Sequence, residues 1–203
     1  MARTAYRITA LAASGALAIG VGVTGAHAAI GTPSSAQSTP VSVSSESAAQ
    51  EAQWPEYRQT EMGWNVSVAK HLLWEQDYYE PGGTLDDRFD EATVESLLDY
   101  QQDTDLKVTG ILDGRSWEFL VEDAGTLSQG DEGPAVAAAQ TALHEKLGYD
   151  LTDDGYRTYA PEPGSFGPAT HEAVVDFQEE NGLAADGAVD ADTFEALVVT
   201  PEQ

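Results

Sequence analysis

The sequence predicts an all-α fold made of two tandem three-helix modules, which follow a signal peptide and a disordered linker. Two observations lead to this prediction: apolar residues recur at helical spacing between helix start and stop signals, and the same pattern occurs twice. The expected boundaries are 1–28 for the signal peptide, 29–53 for the linker, 54–124 for the first module and 125–203 for the second.

The pattern is clearest between Ser165 and Leu197. Gly167-Pro168 indicates a helix start, because proline at the first helical position loses an amide hydrogen that would have had no partner. Asn181-Gly182 indicates the end of that helix, and Asp190 is placed to cap a further one. The expected apolar stripes consist of Ala173, Val174 and Phe177 in the first helix and Phe194 and Leu197 in the second.

Identical or similar residues occur earlier in the chain at two regular offsets. Ten positions match at an offset of 77, from the pair Phe89 and Phe166 to the pair Leu120 and Leu197. Nearer the start of each copy the offset is 70, as between Gly63 and Gly133. The second copy therefore carries seven additional residues in its first loop, and a module was duplicated.

The second copy resembles the peptidoglycan-binding domain of type 1, a small three-helix module of cell-wall hydrolases and other secreted wall proteins. The motifs that carry the resemblance are Val136-x-x-x-Gln140-x-x-Leu143, Gly148-Tyr149, Phe166-Gly167-x-x-Thr170, Phe177-Gln178, Gly182-Leu183 and Asp186-Gly187. The resemblance implies binding to the glycan or the stem peptide of peptidoglycan, with weak affinity per module raised by having two modules on one chain. The first copy is degenerate, because Lys70, Asp90 and Thr109 replace the Gln, Gly and Asp of the pattern.

The N-terminus has the features of a secretory signal. Arg3 and Arg7 precede an apolar run from Ile8 to Val23, and Ala26-His27-Ala28 offers a cleavage site. The apolar run is shorter than the roughly 20 residues that a membrane span needs, which favours cleavage over an uncleaved anchor. The Ser, Thr, Ala, Gln and Pro residues that follow cannot bury enough surface to order a chain. We therefore expect a secreted, cell-wall associated protein with no membrane span after cleavage.

The chain is strongly acidic, with a formal net charge of −26 that becomes −28 when the two arginines of the signal are removed. Nucleic acid is excluded as a partner, since no basic stripe could displace its counterions. The acids are spread over both copies, which suits a solvated surface, although attraction to basic groups of a secreted protein partner is an alternative.

Catalytic groups are sparse, and we expect no catalytic residue, no metal and no cofactor. The chain has no cysteine. The histidines beyond the signal, which are His71, His144 and His171, lie on separate helices, and we expect most of them at the surface. Asp150-x-Thr152-x-Asp154-Gly155 resembles a calcium loop only faintly, because its bidentate acid is misplaced.

The long loop from Tyr149 to Ser165 differs most between the copies, and loops on a rigid scaffold are favoured places for recognition. We predict a ligand-binding site formed by Tyr156, Arg157, Tyr159 and Phe166, in which Arg157 contacts a carboxylate.

Two glutamines and the aromatic rings that follow the first helix are interpreted as stabilising the fold. We expect Gln140 and Gln178 to hydrogen-bond the backbone of adjoining loops, because a buried amide needs partners. The aromatic rings between Trp74 and Gly83 could stack on sugars, but the favoured interpretation is that they cap the core.

The sequence leaves two alternatives to wall binding open. The same modules could dock a secreted enzyme as a partner or inhibitor, or they could target a hydrolase that is encoded on a separate chain.

Overall fold

The computed structural model describes residues 54–82 and 85–199. These residues belong to one compact unit that includes both copies. The predicted signal peptide and linker lie outside the described residues.

The described part of the chain contains six α-helices, three in each copy, as the sequence predicted. They are α1 (Trp64–Glu75), α2 (Glu91–Asp103), α3 (Gly114–Ala124), α4 (Pro134–Leu147), α5 (Pro168–Asn181) and α6 (Ala191–Val199). Two short strands, β1 (Glu132–Gly133) and β2 (Gly164–Ser165), pair antiparallel in the second copy. No helix in these ranges is long and apolar enough to cross a membrane.

The predicted helix signals act as expected. Pro134 and Pro168 occupy the first positions of α4 and α5, and the αL conformation of Gly148 and Gly182 ends the same two helices. The side chains of Asp90, Asp113 and Asp190 accept the backbone N–H three residues later and so cap α2, α3 and α6. Helix α3 ends at Ala124, and Gly125 follows with a positive φ of 69°.

The duplication extends to individual hydrogen bonds. In the first copy, Gln101 donates through Nε2 to the Ile111 carbonyl and accepts the Gly110 N–H at 3.0 Å. Gln178 donates to the Ala188 carbonyl and accepts the Gly187 N–H at 2.9 Å, which are the same contacts 77 residues later. The prediction that Gln178 bonds the backbone of a loop is therefore confirmed.

The backbone pairs that close each copy are also repeated. Tyr57 forms a bridge with Leu112, and Leu127 forms a bridge with Val189. The pairs differ by 70 residues on one side and 77 on the other, which are the two offsets found in the sequence.

The first helices of the two copies pack against each other, and both are buried on nearly all sides. Every residue of α1 from Asn65 to Leu73 is buried, and so is every residue of α4 from Ala135 to Leu143. An amphipathic helix buries one stripe, but α1 has a second face that is covered by α4. The alanines of α4 allow this close approach because they carry small side chains.

Hydrogen bonds also join the copies at the ends of these helices. Glu75, at the end of α1, accepts the Ala135 N–H of α4 at 2.9 Å. Because Gly133 has no side chain with which to cap α4, the cap comes from the other copy. Asn65 in α1 donates to the Val198 carbonyl of α6 at 3.4 Å. The two copies are therefore joined by polar as well as apolar contacts.

We predict that Gln101→Leu and Gln178→Leu destabilise the protein by similar amounts. Each substitution leaves a buried N–H and a carbonyl unpaired, so we expect a loss of about 2–4 kcal/mol in the free energy of unfolding. Urea unfolding measures both losses. Gln102→Leu, at an exposed neighbouring position, should stay within about 0.5 kcal/mol of wild type. If one of the two substitutions strongly lowered the free energy of unfolding and the other did not, the two glutamines would not be equivalent.

Candidate ligand-binding cleft

A small cleft lies where the long loop of the second copy folds back over α4 beside α1. The space within it, counted together with open solvent, is about 250 Å³, but it has room for only about one water-sized group. Its lining comes from α1, α4 and the loop, and consists of His71, Ala137, Gln140, Gly155, Tyr156, Arg157, Ala160, Glu162, Pro163 and Gly164. Both copies therefore contribute to its walls.

Asp154 fixes the loop to the start of α5. Its carboxylate accepts the backbone N–H and, at 2.7 Å, the hydroxyl of Thr170, so it caps a helix whose own N-cap, Gly167, has no side chain. A carboxylate at this position also interacts favourably with the helix dipole. The residues that resemble a calcium loop thus include a helix cap, which sequence spacing could not reveal because its helix starts 14 residues later.

The far end of the loop approaches α4 very closely. A Cβ atom on Gly164 would lie 2.5 Å from the Ala137 nitrogen and 2.5 Å from Gln140 Oε1, so only glycine fits. Gln140 donates through Nε2 to the Ser165 carbonyl at 2.9 Å, which confirms its predicted bond to the loop backbone. The loop is therefore fixed at both ends of the cleft.

The structure brings two of the four predicted site residues to the cleft. Arg157 is exposed and lines the cleft without an ion pair to any described residue. Tyr156 also lines it, but this residue is only 6% exposed. Tyr159 is half-buried outside the lining, and its carbonyl accepts the Leu85 N–H of the first copy.

Phe166 requires a correction, because its ring is 1% exposed. It packs in the core with the apolar residues of both copies and offers no surface that a ligand could contact. Its contribution to the cleft is to hold the end of the loop in place.

Two buried polar atoms at the cleft lack a hydrogen bond within the described residues. Gln140 Oε1 has no donor, although Nε2 of the same amide bonds both Ser165 and Thr170. The Tyr156 hydroxyl lies near Thr141 and Thr158 but makes no hydrogen bond of ordinary geometry. Burial raises the pKa of Tyr156, so the hydroxyl keeps its proton. Unpaired buried groups are uncommon in proteins and call for a reason.

The sequence predicted that most histidines lie at the surface, but His71 is a buried wall of the cleft with 3% exposure. Its Nδ1 lies 2.7 Å from the Ser67 carbonyl and must donate to it, which makes the ring neutral with Nε2 as an acceptor. Nε2 has no partner among the described residues. Burial, opposed by the bond to Ser67 and assisted by the nearby charge of Lys70, lowers the pKa of His71 to about 4.

The first copy has no equivalent unpaired amide. Lys70 takes the position of Gln140, and its ammonium group bonds the Asp86 carboxylate at 2.7 Å and lies 3.8 Å from Asp90. Because the buried charge is paired, this position is satisfied without a ligand.

The aromatic loop after α1 has the structural role that the sequence favoured. Tyr79 is buried, and the ring of Tyr78 packs edge-on against Tyr100 with centroids 5.3 Å apart. Burial raises the pKa of Tyr79 to about 12. These rings cover the core of the first copy.

Across residues 54–82 and 85–199, no three His, Asp or Glu side chains are grouped closely enough to hold a metal ion. His144 and His171 are partly buried and stay on separate helices.

Comparison with known proteins identifies the fold family. The model of the putative peptidoglycan binding domain matches residues 63–120 and again residues 132–197. These two matches cover more than half of the chain, which therefore belongs to the peptidoglycan-binding domain family.

Two individual proteins are similar over part of their length. The zinc D-Ala-D-Ala carboxypeptidase of Streptomyces albus G is 40% identical over 91 residues, which are 43% of this chain and 30% of that protein. A peptidoglycan-binding protein from Clostridioides difficile, solved in complex with glutamine hydroxamate, is 35% identical over 37% of this chain and 41% of that chain, with a TM-score of 0.31. The chain thus spans less than half the length of either protein.

We predict that His71 makes the protein less stable as the pH falls from 6.5 to about 4. In this range the unfolded chain binds a proton that the folded imidazole excludes, so the free energy of unfolding decreases by up to about 3 kcal/mol. In His71→Asn, the amide can still donate to Ser67 but does not titrate. The stability difference between the two proteins should therefore change across this range, measured by urea unfolding. A constant difference would contradict the low pKa.

Proposed function

We propose that this chain is a secreted, non-catalytic protein that binds peptidoglycan of the cell wall. Two family modules support the ligand, and the predicted signal at residues 1–28 supports secretion. The observation that carries the proposal is the cleft of the second copy, where an exposed arginine lies beside buried polar groups that lack partners.

Most of the binding belongs to the second copy. Its longer loop presents Arg157 and Tyr156 at the cleft, whereas Lys70 fills the corresponding position of the first copy with an internal ion pair. Arg157 contacts a carboxylate of the wall polymer, for which its planar guanidinium is suited. Tyr159 adds contact area beside it, and Phe166 acts only from behind the loop.

The chain binds the wall without cleaving it. The similarity to the zinc carboxypeptidase extends over 30% of that enzyme, and the family matches account for both copies. A zymogram tests this part of the proposal, because clearing of the wall by the isolated protein would contradict it.

A second candidate function follows from the charge. A formal net charge of −26 favours attraction to basic surfaces and repulsion from acidic wall polymers, especially at low salt. A secreted protein partner, such as an enzyme that is inhibited or targeted to the wall, fits this observation. Co-purification from the culture supernatant distinguishes the two candidates, because a wall-binding protein follows the wall fraction.

We predict that Arg157→Ala weakens binding to insoluble peptidoglycan by about five- to tenfold, which is the effect of losing one hydrogen bond to a charged group. Sedimentation of the full chain with purified wall measures the change, before and after acidic polymers are stripped off. Removal of the acidic polymers should strengthen the binding of wild type and of Arg157→Ala, because it relieves the repulsion between these polymers and the acidic chain.

The matched control is Lys107→Ala, which removes the same charge from an exposed residue of the first copy that has no ion pair among the described residues. It should bind like wild type. Equal binding by Arg157→Ala would remove Arg157 from the site, and failure of wild type to sediment would contradict wall binding.

A further inference from the structure

The two copies cap their second helices in different ways. In the first copy, Asp90 is the N-cap residue of α2, and its carboxylate accepts the backbone N–H and the hydroxyl of Thr93. In the second copy, the N-cap residue of α5 is Gly167, and Asp154 of the long loop accepts the same two groups of Thr170. The two threonines are matched at the offset of 77. The same cap therefore comes from the adjoining residue in one copy and from the loop in the other.

The backbone before α5 does not require a glycine. Gly167 has φ −92° and ψ −169°, and Asp90 has φ −88° and ψ −179°, so both residues are extended in the way that is usual at an N-cap. The obstacle to a side chain at Gly167 is the Asp154 carboxylate, which a Cβ atom at this position would overlap. The loop carboxylate thus occupies the place that a local cap would take.

The cap from the loop also fixes the segment that carries Arg157. Asp154 is the last residue of a short 3-10 helix. Beyond it, the Tyr156 N–H donates to the Leu151 carbonyl at 3.2 Å, and both of these residues are buried. Arg157 follows directly and is exposed. Because only two residues separate the cap from the arginine, the attachment of Asp154 to α5 restricts where the arginine can lie.

We propose that Asp154 is a positioning residue for wall binding, because it caps α5 from the loop and thereby holds Arg157 where the ligand meets it. The inference rests on the proposed function and adds a residue that acts on the same site from behind. A loop that is already held in its binding conformation loses less conformational entropy when the ligand binds. A residue that only capped α5 would contribute to stability and not to affinity.

The experiment separates these two roles by moving the cap. Asp154→Ala removes the carboxylate from the loop and frees the space beside Gly167. The double variant Asp154→Ala/Gly167→Asp then supplies a carboxylate from the N-cap position, as Asp90 does in the first copy. The matched control is Asp153→Ala, which removes the same charge from the exposed neighbouring residue of the loop.

Thermal unfolding of the full chain measures the capping role. Asp154→Ala should lower the melting temperature by about 3–6 °C, because α5 loses its cap. The double variant should regain most of this loss, and Asp153→Ala should unfold like wild type.

Sedimentation with insoluble peptidoglycan measures the positioning role. Asp154→Ala and the double variant should both bind about three- to tenfold less tightly than wild type, because the released loop presents Arg157 correctly for only part of the time. Asp153→Ala should bind like wild type. In an Arg157→Ala background, Asp154→Ala should have no further effect, because it acts through that arginine.

Trypsin reports on the loop in the absence of any ligand. Cleavage after Arg157, identified by mass spectrometry of the fragments, should be at least about threefold faster in Asp154→Ala and in the double variant than in wild type. This rate depends on the freedom of the loop and not on the wall.

The inference is overturned if the double variant recovers wild-type binding, because Asp154 would then act only as a cap. It is also overturned if both variants are cleaved after Arg157 at the wild-type rate. If the double variant does not regain stability, the Arg157→Ala background decides, and a further loss of binding there contradicts the inference. If wild type itself does not sediment with the wall, the proposed function fails and the inference fails with it.

Discussion

The packing of α1 against α4 is the constraint on which the rest of the structure depends. Each helix buries nine consecutive residues, so neither copy covers its own first helix completely. Burial of this extent supplies apolar stabilisation that a module of about 70 residues would otherwise lack. The same contact places His71 of one copy beside Gln140 of the other. The cleft therefore exists only because the two copies form one unit.

The departures of the first copy from the family pattern compensate for one another. Asp90 replaces Gly167 and caps its own helix, whereas the second copy receives this cap from Asp154 in its longer loop. Asp90 also lies near Lys70, which would otherwise be a buried charge without its second partner. Thr109, in place of the turn aspartate, accepts the Ile111 N–H through its hydroxyl. The first copy thus keeps the fold while it loses the open amide.

Local signals allowed the fold to be predicted, and contacts between distant segments limited prediction of the site. The caps by Asp113 and Asp190 and the repeated glutamines are readable because their partners lie within about ten residues. The sequence of α1 alone cannot predict that His71 is buried. Its burial depends on the packing of α4 against a second face of α1. The run from Asn65 to Leu73 gave no signal of this burial, because Asn65, Ser67, Lys70 and His71 interrupt its apolar residues.

The claim that both copies form one cooperative unit can be tested with the tryptophans, all of which lie between residues 54 and 117. Their fluorescence reports on the first copy, while far-ultraviolet circular dichroism reports on the helices of both. In urea, the two signals should give one coincident transition. Leu143→Ala, in α4 of the second copy, should shift both signals to lower urea by the same amount. A tryptophan transition that stays in place while the dichroism separates into two steps would contradict the account.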